Sequence, residues 1–282
     1  MIPFTKAHAC GNDFLIVTEE DAADHDCAAL TRRLCQRNTG IGADGIEFFA
    51  WINRSASGPR SGRIRLHNAD GSIAELSGNG TRCVAAWMAD SLGSLAGETL
   101  DIFTDAGLRR CRIDRVQNDG LHAGEAFTVD ITTGMGVPKF EPRTVRLADG
   151  TEIAGVEVST GNPHFVVLAG GDDFTVAGKP WQSIGAEICT HRDFPRQTNV
   201  EFVRIASERE IAIRIFERGV GPTTSSGTGS SASATAALAV WRCVSPLTVV
   251  APGGAQTIVW SGPGEELFLT GPATLIARGE AW

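Results

Sequence analysis

Two short runs hold the residue types best suited to chemistry, Ser77-Gly78-Asn79-Gly80 and Ser226-Gly227-Thr228-Gly229. Each sets a hydroxyl directly before a Gly-x-Gly step that opens a stretch of helical composition. The glycines let the backbone come close to a ligand, and the first turn of a helix has free N–H groups pointing back at the loop. That combination makes an anion site of the helix N-terminal kind. It suits a carboxylate ligand, and a reaction that builds negative charge beside that carboxylate. A Ser/Gly linker would have similar composition, but a linker does not account for a second copy. Glu217-Arg218-Gly219-Val220-Gly221 precedes the second run, and an arginine can grip a distal carboxylate through two parallel bonds. His164, in Gly161-Asn162-Pro163-His164, titrates near neutrality and is a candidate base, as is Glu217. The alternative for His164 is a buried side chain that holds the Asn162-Pro163 turn.

The elements that must position these groups repeat as well. A shift of 149 residues carries Ser77 onto Ser226 and Gly80 onto Gly229, and lays Ile64-Arg65-Leu66 on Ile213-Arg214-Ile215 without a gap. In both copies an alternating strand brings polar side chains to a turn, and a serine then opens the helix start. Two similar halves of about 130 residues follow, at 1–133 and 134–270, with 271–282 rejoining the first. Gly134 to Arg143, with Pro138 and Pro142, reads as the linker. Two helix starts at one cleft between the halves would form a single carboxylate site.

Around these runs the chain reads mostly as strands. Phe4 to Lys6 and Phe14 to Val17 flank a polar loop from His8 to Asp13. Asp21 to Arg37 reads as a helix, Ile46 to Trp51 as a strand and Ser55 to Gly62 as a polar loop. Cys83 to Met88 is apolar on all faces, which predicts a helix enclosed by sheet. Ala126 to Ile131 reads as a strand, and Trp181 to Cys189 as a short helix. After Trp241 come short strands, two of them at Glu266 to Thr270 and Ala273 to Ala277.

Composition narrows the function. The chain has 282 residues, 42% hydrophobic and 21% charged, with net charge −8. That balance gives no electrostatic case for nucleic acid or an anionic membrane. No signal-peptide core and no 18-residue apolar run is present. Seven scattered cysteines without CxxC spacing predict reduced thiols and a cytoplasmic protein. Neither a Walker loop nor a dinucleotide fingerprint nor clustered metal-ligand spacing occurs, so no cofactor and no metal is expected.

In combination these motifs resemble the diaminopimelate epimerase family over nearly the whole chain. The matching runs, in order, are His8-Ala9-Cys10-Gly11-Asn12-Asp13-Phe14, Gly40-Ile41-Gly42-Ala43-Asp44-Gly45, Asn68-Ala69-Asp70-Gly71-Ser72, Gly78-Asn79-Gly80-Thr81-Arg82-Cys83, Gly161-Asn162-Pro163-His164, Asn199-Val200 and Glu217-Arg218-Gly219-Val220-Gly221. The resemblance implies an α+β fold of two pseudo-symmetric domains, each a mixed or antiparallel sheet wrapped around a central helix. It implies cofactor-independent inversion at the α-carbon of diaminopimelate, on the lysine and cell-wall precursor route, in a homodimer. It also implies that Asn12, Asn68, Asn162, Asn199, Glu217 and Arg218 hold the amino-acid substrate. Gly78, Asn79, Gly227 and Thr228 at the helix starts would take the α-carboxylate.

The family inverts its substrate with two cysteines, and the matching positions here are Ser77 and Ser226. A thiol, with an ordinary pKa of about 8.5, is readily brought to neutrality at a helix N-terminus. A serine hydroxyl acts as a base only when a neighbour takes its proton. Ser231 and Pro222 also depart from the family's usual cysteine and glutamate, so the serine pair reads as native to the chain. Three readings follow: a diaminopimelate-epimerase-like isomerase; an isomerase or lyase for another small amino acid or carboxylate with one base, His164 or Glu217; and an inactive amino-acid-binding relative.

Overall fold

Alternating β-branched and aromatic residues put most of the regular structure into strands, and the two helices they enclose follow the serine-glycine runs. The computed structural model describes residues 1–55, 58–117 and 127–282. Contacts divide it into two units, Met1–Gly134 with Thr270–Trp282, and Met135–Leu269.

The first unit contains β1 (Ile2–Ala9), β2 (Asn12–Thr18), α1 (Cys27–Leu34), β3 (Gly45–Asn53), β4 (Arg60–Asn68), β5 (Ile73–Ala74), α2 (Gly78–Leu92), β6 (Thr99–Thr104), β7 (Gly107–Val116) and β8 (Phe127–Gly134). Strands β1 and β2 are antiparallel, β2 and β3 parallel, β3 and β4 antiparallel. Strand β4 runs parallel to β6, and β6–β7–β8 is an antiparallel meander. The C-terminal strand, labelled β17 below and covering Phe268–Ala281, pairs with both β1 and β8 and so closes the ring. Side-chain bonds Thr128–Thr274 and Thr132–Thr270 tie β8 to it.

Helix α2 fills this ring. Cys83, Val84, Ala85, Ala86, Met88 and Ala89 are fully buried in one cluster with Phe49, Ile102, Ile113 and Ile131. Each large apolar side chain so enclosed contributes about 1.5–3 kcal/mol. Gly93 ends the helix in the left-handed conformation, φ 61°, with its N–H on the Ala89 and Asp90 carbonyls.

The second unit contains β9 (Lys139–Arg146), β10 (Glu152–Ser159), β11 (Pro163–Leu168), α3 (Trp181–Cys189), β12 (Asn199–Ser207), β13 (Glu210–Glu217), β14 (Gly221–Thr223), α4 (Gly227–Ala239), β15 (Leu247–Ala251), β16 (Gly254–Val259) and the first residues of β17. Its pairings follow the same sequence of senses: β10 with β11 antiparallel, β11 with β12 parallel, β12 with β13 antiparallel, β13 with β15 parallel, β15 with β16 antiparallel. Helix α4 is built almost wholly of Gly, Ser, Thr and Ala, and Gly227 to Ala237 are all buried. Small side chains let strands approach it on every side.

Several boundaries differ from the sequence reading. The loop expected from His8 to Asp13 contracts to Cys10-Gly11, at φ 52° and 79°, because a two-residue turn with both φ values positive matches the twist of paired strands. The helix expected over Asp21 to Arg37 spans only Cys27–Leu34. Asp26 caps it by accepting from the Ala29 N–H, and the Ile41 and Gly42 N–H groups occupy the Leu34 carbonyl. The segment read as a linker contains the start of β9, paired to β10. The two terminal strands are one, β17. Of the strand expected at Ala126 to Ile131, Ala126 lies outside the described residues, as do residues 56–57 of the predicted polar loop. Among the described residues no helix is long and apolar enough to cross a membrane.

Candidate active site

Ser77 is the N-cap of α2. Its backbone is extended and its Oγ accepts from the Gly80 N–H at 3.0 Å. Ser226 caps α4 in the same way, its Oγ accepting from the Gly229 N–H at 3.1 Å. Both serines are half-buried. Serine is favoured at this position because its oxygen satisfies a donor that the helix cannot.

In the first unit a polar chain leads away from the α2 start. The fully buried Arg82 reaches back along its own helix to donate to the Gly78 carbonyl and Asn79 Oδ1. Asn79 Nδ2 donates to Asn12 Oδ1 at 3.1 Å, and Asn12 Nδ2 donates to Asp44 Oδ2 at 2.6 Å. A guanidinium can only donate and a carboxylate only accept, so the two ends fix the orientation of both carboxamides. Asp44 also accepts from the Asp13 N–H and from Arg37. Asp13 is held between Arg37 and Lys6. Burial pushes the Asp13 carboxyl up, and the two cations more than reverse it, leaving it below its ordinary value. Asn68 stands exposed at the end of β4, opposite Gly45 of β3, with its Nδ2 on Ser72 Oγ at 3.1 Å.

In the second unit His164 is fully buried. Its Nδ1 lies 2.8 Å from Glu201 Oε1 and its Nε2 lies 2.9 Å from Asn162 Oδ1. Each ring nitrogen thus faces an oxygen. Asn162 Nδ2 donates in turn to Thr228 Oγ1 at 3.4 Å, at the α4 start. The carboxamide of Asn199 is used at both ends, donating to the Pro163 carbonyl and accepting from the Arg218 N–H. Arg218 is exposed, with Nη1 on the Arg196 carbonyl, and Glu217 is half-buried at the end of β13.

The residues expected from the sequence therefore form two groups. Asn12, Gly78 and Asn79 gather at the α2 start beside Ser77, and Asn162, His164, Gly227 and Thr228 at the α4 start beside Ser226. Asn199 and Glu217-Arg218 stand at adjoining strand ends, β12 against β13. His164 has the environment of a positioning residue: it holds Asn162 and is closed to ligand at both nitrogens.

Two buried glutamates escaped the sequence reading. Glu47 on β3 is fully buried, and neither carboxylate oxygen has a hydrogen-bond partner among the described residues. Burial alone pushes its carboxyl up to about 8. Glu201 on β12 is equally buried. Burial pushes it up too, against the opposing effect of His164. An acidic residue inside each apolar run, Ile46-Glu47-Phe48-Phe49 and Val200-Glu201-Phe202-Val203, was the available clue.

Comparison with known proteins places this geometry. The fold is shared with a probable proline racemase of Agrobacterium radiobacter, at TM-score 0.71 and 16% identity over 100% of this chain and 93% of that one. A phenazine biosynthesis protein of the PhzF family from Bacillus anthracis matches at TM-score 0.69 and 18% identity, covering 100% and 99%. Those likenesses define an α+β class of repeated sheet-around-helix units. The family model described as Diaminopimelate epimerase matches residues 4–133 and 156–276. Curated diaminopimelate epimerases are 37% identical (Desulforudis audaxviator) and 34% identical (Moorella thermoacetica), each over 98% of both chains. The chain belongs to the diaminopimelate epimerase family.

Proposed function

We propose that this protein is an isomerase that inverts the α-carbon of diaminopimelate without a cofactor, on the route to lysine and cell-wall precursors. The observation that supports it best is the duplicated serine-capped helix start, each beside an asparagine inherited with the family motif: Asn12 on Asn79 and Asn162 on Thr228. In this reading the N–H groups at Gly78, Asn79, Gly227 and Thr228 take the α-carboxylate, which gathers charge as the α-proton leaves. Asn12, Asn68, Asn162, Asn199 and Glu217 hold the ammonium and carboxylate groups, and the exposed Arg218 meets the distal carboxylate. Ser77 and Ser226 each serve one face of the α-carbon, with His164 positioning Asn162. The working form is a cytoplasmic homodimer.

The test is incubation with LL-diaminopimelate in deuterated water, following stereoisomer composition and α-deuterium together. Inversion with exchange is the expected outcome. Exchange without inversion would transfer the site to a one-base isomerase or lyase, and binding without exchange would leave an amino-acid-binding protein. Ser77→Cys with Ser226→Cys should raise the inversion rate at least tenfold, because a thiol ionises near neutrality where a hydroxyl does not.

A further inference from the structure

A hydroxyl in a thiol's place needs a partner that takes and returns its proton, and a buried carboxylate lies near each serine across one glycine, with no hydrogen bond joining Ser77 to Glu47 until Ser77 turns from the Gly80 N–H. A Cβ placed on Gly80 would lie 2.0 Å from Glu47 Oε1 and 3.3 Å from Ser77 Cβ. One placed on Gly229 would lie 2.8 Å from Glu201 Oε1, 3.2 Å from Ser226 Cβ and 3.3 Å from Ser226 Oγ. Each serine and its glutamate thus flank the same hydrogen-only position, three residues into the cap. The strand registers agree: Glu47 faces Leu66 and Glu201 faces Ile215, and Leu66 and Ile215 are themselves related by the 149-residue shift.

We infer that Glu47 and Glu201 are positioning residues that exchange protons with Ser77 and Ser226, so that two Ser–Glu pairs do the work of two thiols. The inference rests on the proposed epimerase reading. Two observations beyond the helix starts support it. Glu47 is a fully buried carboxylate with no partner among the described residues on either oxygen, which is costly unless the group has a task. Glu201 Oε1 lies 2.8 Å from His164 Nδ1, so the second carboxylate has a proton-carrying ring within hydrogen-bond reach. The Cys83 thiol feels the Glu47 charge, and burial pushes it up and keeps it neutral.

The protons balance. Ser77 Oγ bonds the α-proton while its own hydroxyl proton passes to the Glu47 carboxylate, and the C–H electron pair stays on the α-carbon, conjugated with the carboxyl group. Ser226 for its part gives its proton to the α-carbon and is reprotonated from the Glu201–His164 pair. Glu47 gains one proton, the pair loses one, and no oxidant or reductant is required. Proton exchange with water restores both before the next turnover in the same direction.

The test compares the full-length protein with Glu47→Gln and Glu201→Gln, each alone and with the neighbouring serine changed to cysteine. Each Gln variant should lower kcat at least 100-fold with KM changed less than threefold. Adding Ser77→Cys to Glu47→Gln should then recover at least tenfold of the loss. A Glu47→Gln enzyme within threefold of the parent, or one that the added cysteine fails to rescue, overturns the pairing. If the parent does not epimerise diaminopimelate, the function reading fails and the pairing is decided separately. The pH profile of alkylation at position 77 in Ser77→Cys, read by peptide mass spectrometry, should move down by one pH unit or more on adding Glu47→Gln. An unmoved profile overturns the pairing whatever the substrate.

Discussion

At the scale of single residues Glu47 carries the largest consequence. In the unfolded chain its carboxyl loses a proton near 4.5, and in the fold near 8. Between those values the folded state binds more protons than the unfolded state, so stability falls as pH rises through that window. Below about 4.5 both states are protonated and no penalty exists. Above about 8 the penalty is complete, on the order of 4 to 5 kcal/mol. Glu47→Gln keeps the shape and removes the ionisation. Urea midpoints of the two proteins should therefore diverge in favour of the variant from pH 5 to pH 8.5, and a constant difference would refute this. Ser77, Asn12 and Asn162 were legible as site candidates from their motifs, whereas Glu47 and Glu201 were not. Their apolar strand neighbours mark them as buried only once helices are known to cover both faces of β3 and β12.

At the scale of elements, the helix starts require glycine at the third residue because a carboxylate occupies the space a methyl would fill. In a helix interior Gly→Ala ordinarily gains up to about 1 kcal/mol. Here the sign should reverse. Gly80→Ala, with its methyl 2.0 Å from Glu47 Oε1, should cost about 1–3 kcal/mol, and Gly229→Ala, with 2.8 Å to spare, less than that. Combining Gly80→Ala with Glu47→Ala should return much of the loss, a coupling that a double-mutant cycle measures in thermal melts. Additive losses would place the strain elsewhere. The enclosed helices themselves were legible, since Cys83 to Met88 has no polar face. The ends of elements were less so: Cys10, a non-glycine residue at positive φ, is set by the pairing of β1 with β2, and the early end of α1 by the Ile41 and Gly42 N–H groups on the Leu34 carbonyl.

For the whole molecule, the repeat explains why two similar halves could be read from one chain, while the α+β fold came from the family resemblance. The same succession of strand senses occurs twice, so evidence for each half reinforces the other. What the repeat does not specify is how each unit ends. The first is finished by residues 270–282, and β17 serves there as partner to both β1 and β8. A chain stopped after Leu269 would lose the register from Ile2↔Ala281 to His8↔Thr274 and both threonine pairs to β8. Two strands would then present unpaired N–H and C=O groups to water, and α2 would lose one wall of its enclosure. Residues 135–269 would keep every pairing from β9 to β16. Hydrogen exchange should accordingly show protection falling by two or more orders of magnitude in β1, β8 and α2, with β12, β13 and α4 little changed. Equal loss in both sets of amides would mean that the second unit has no stability of its own. In that case the division seen in the contacts would describe ancestry rather than cooperative folding.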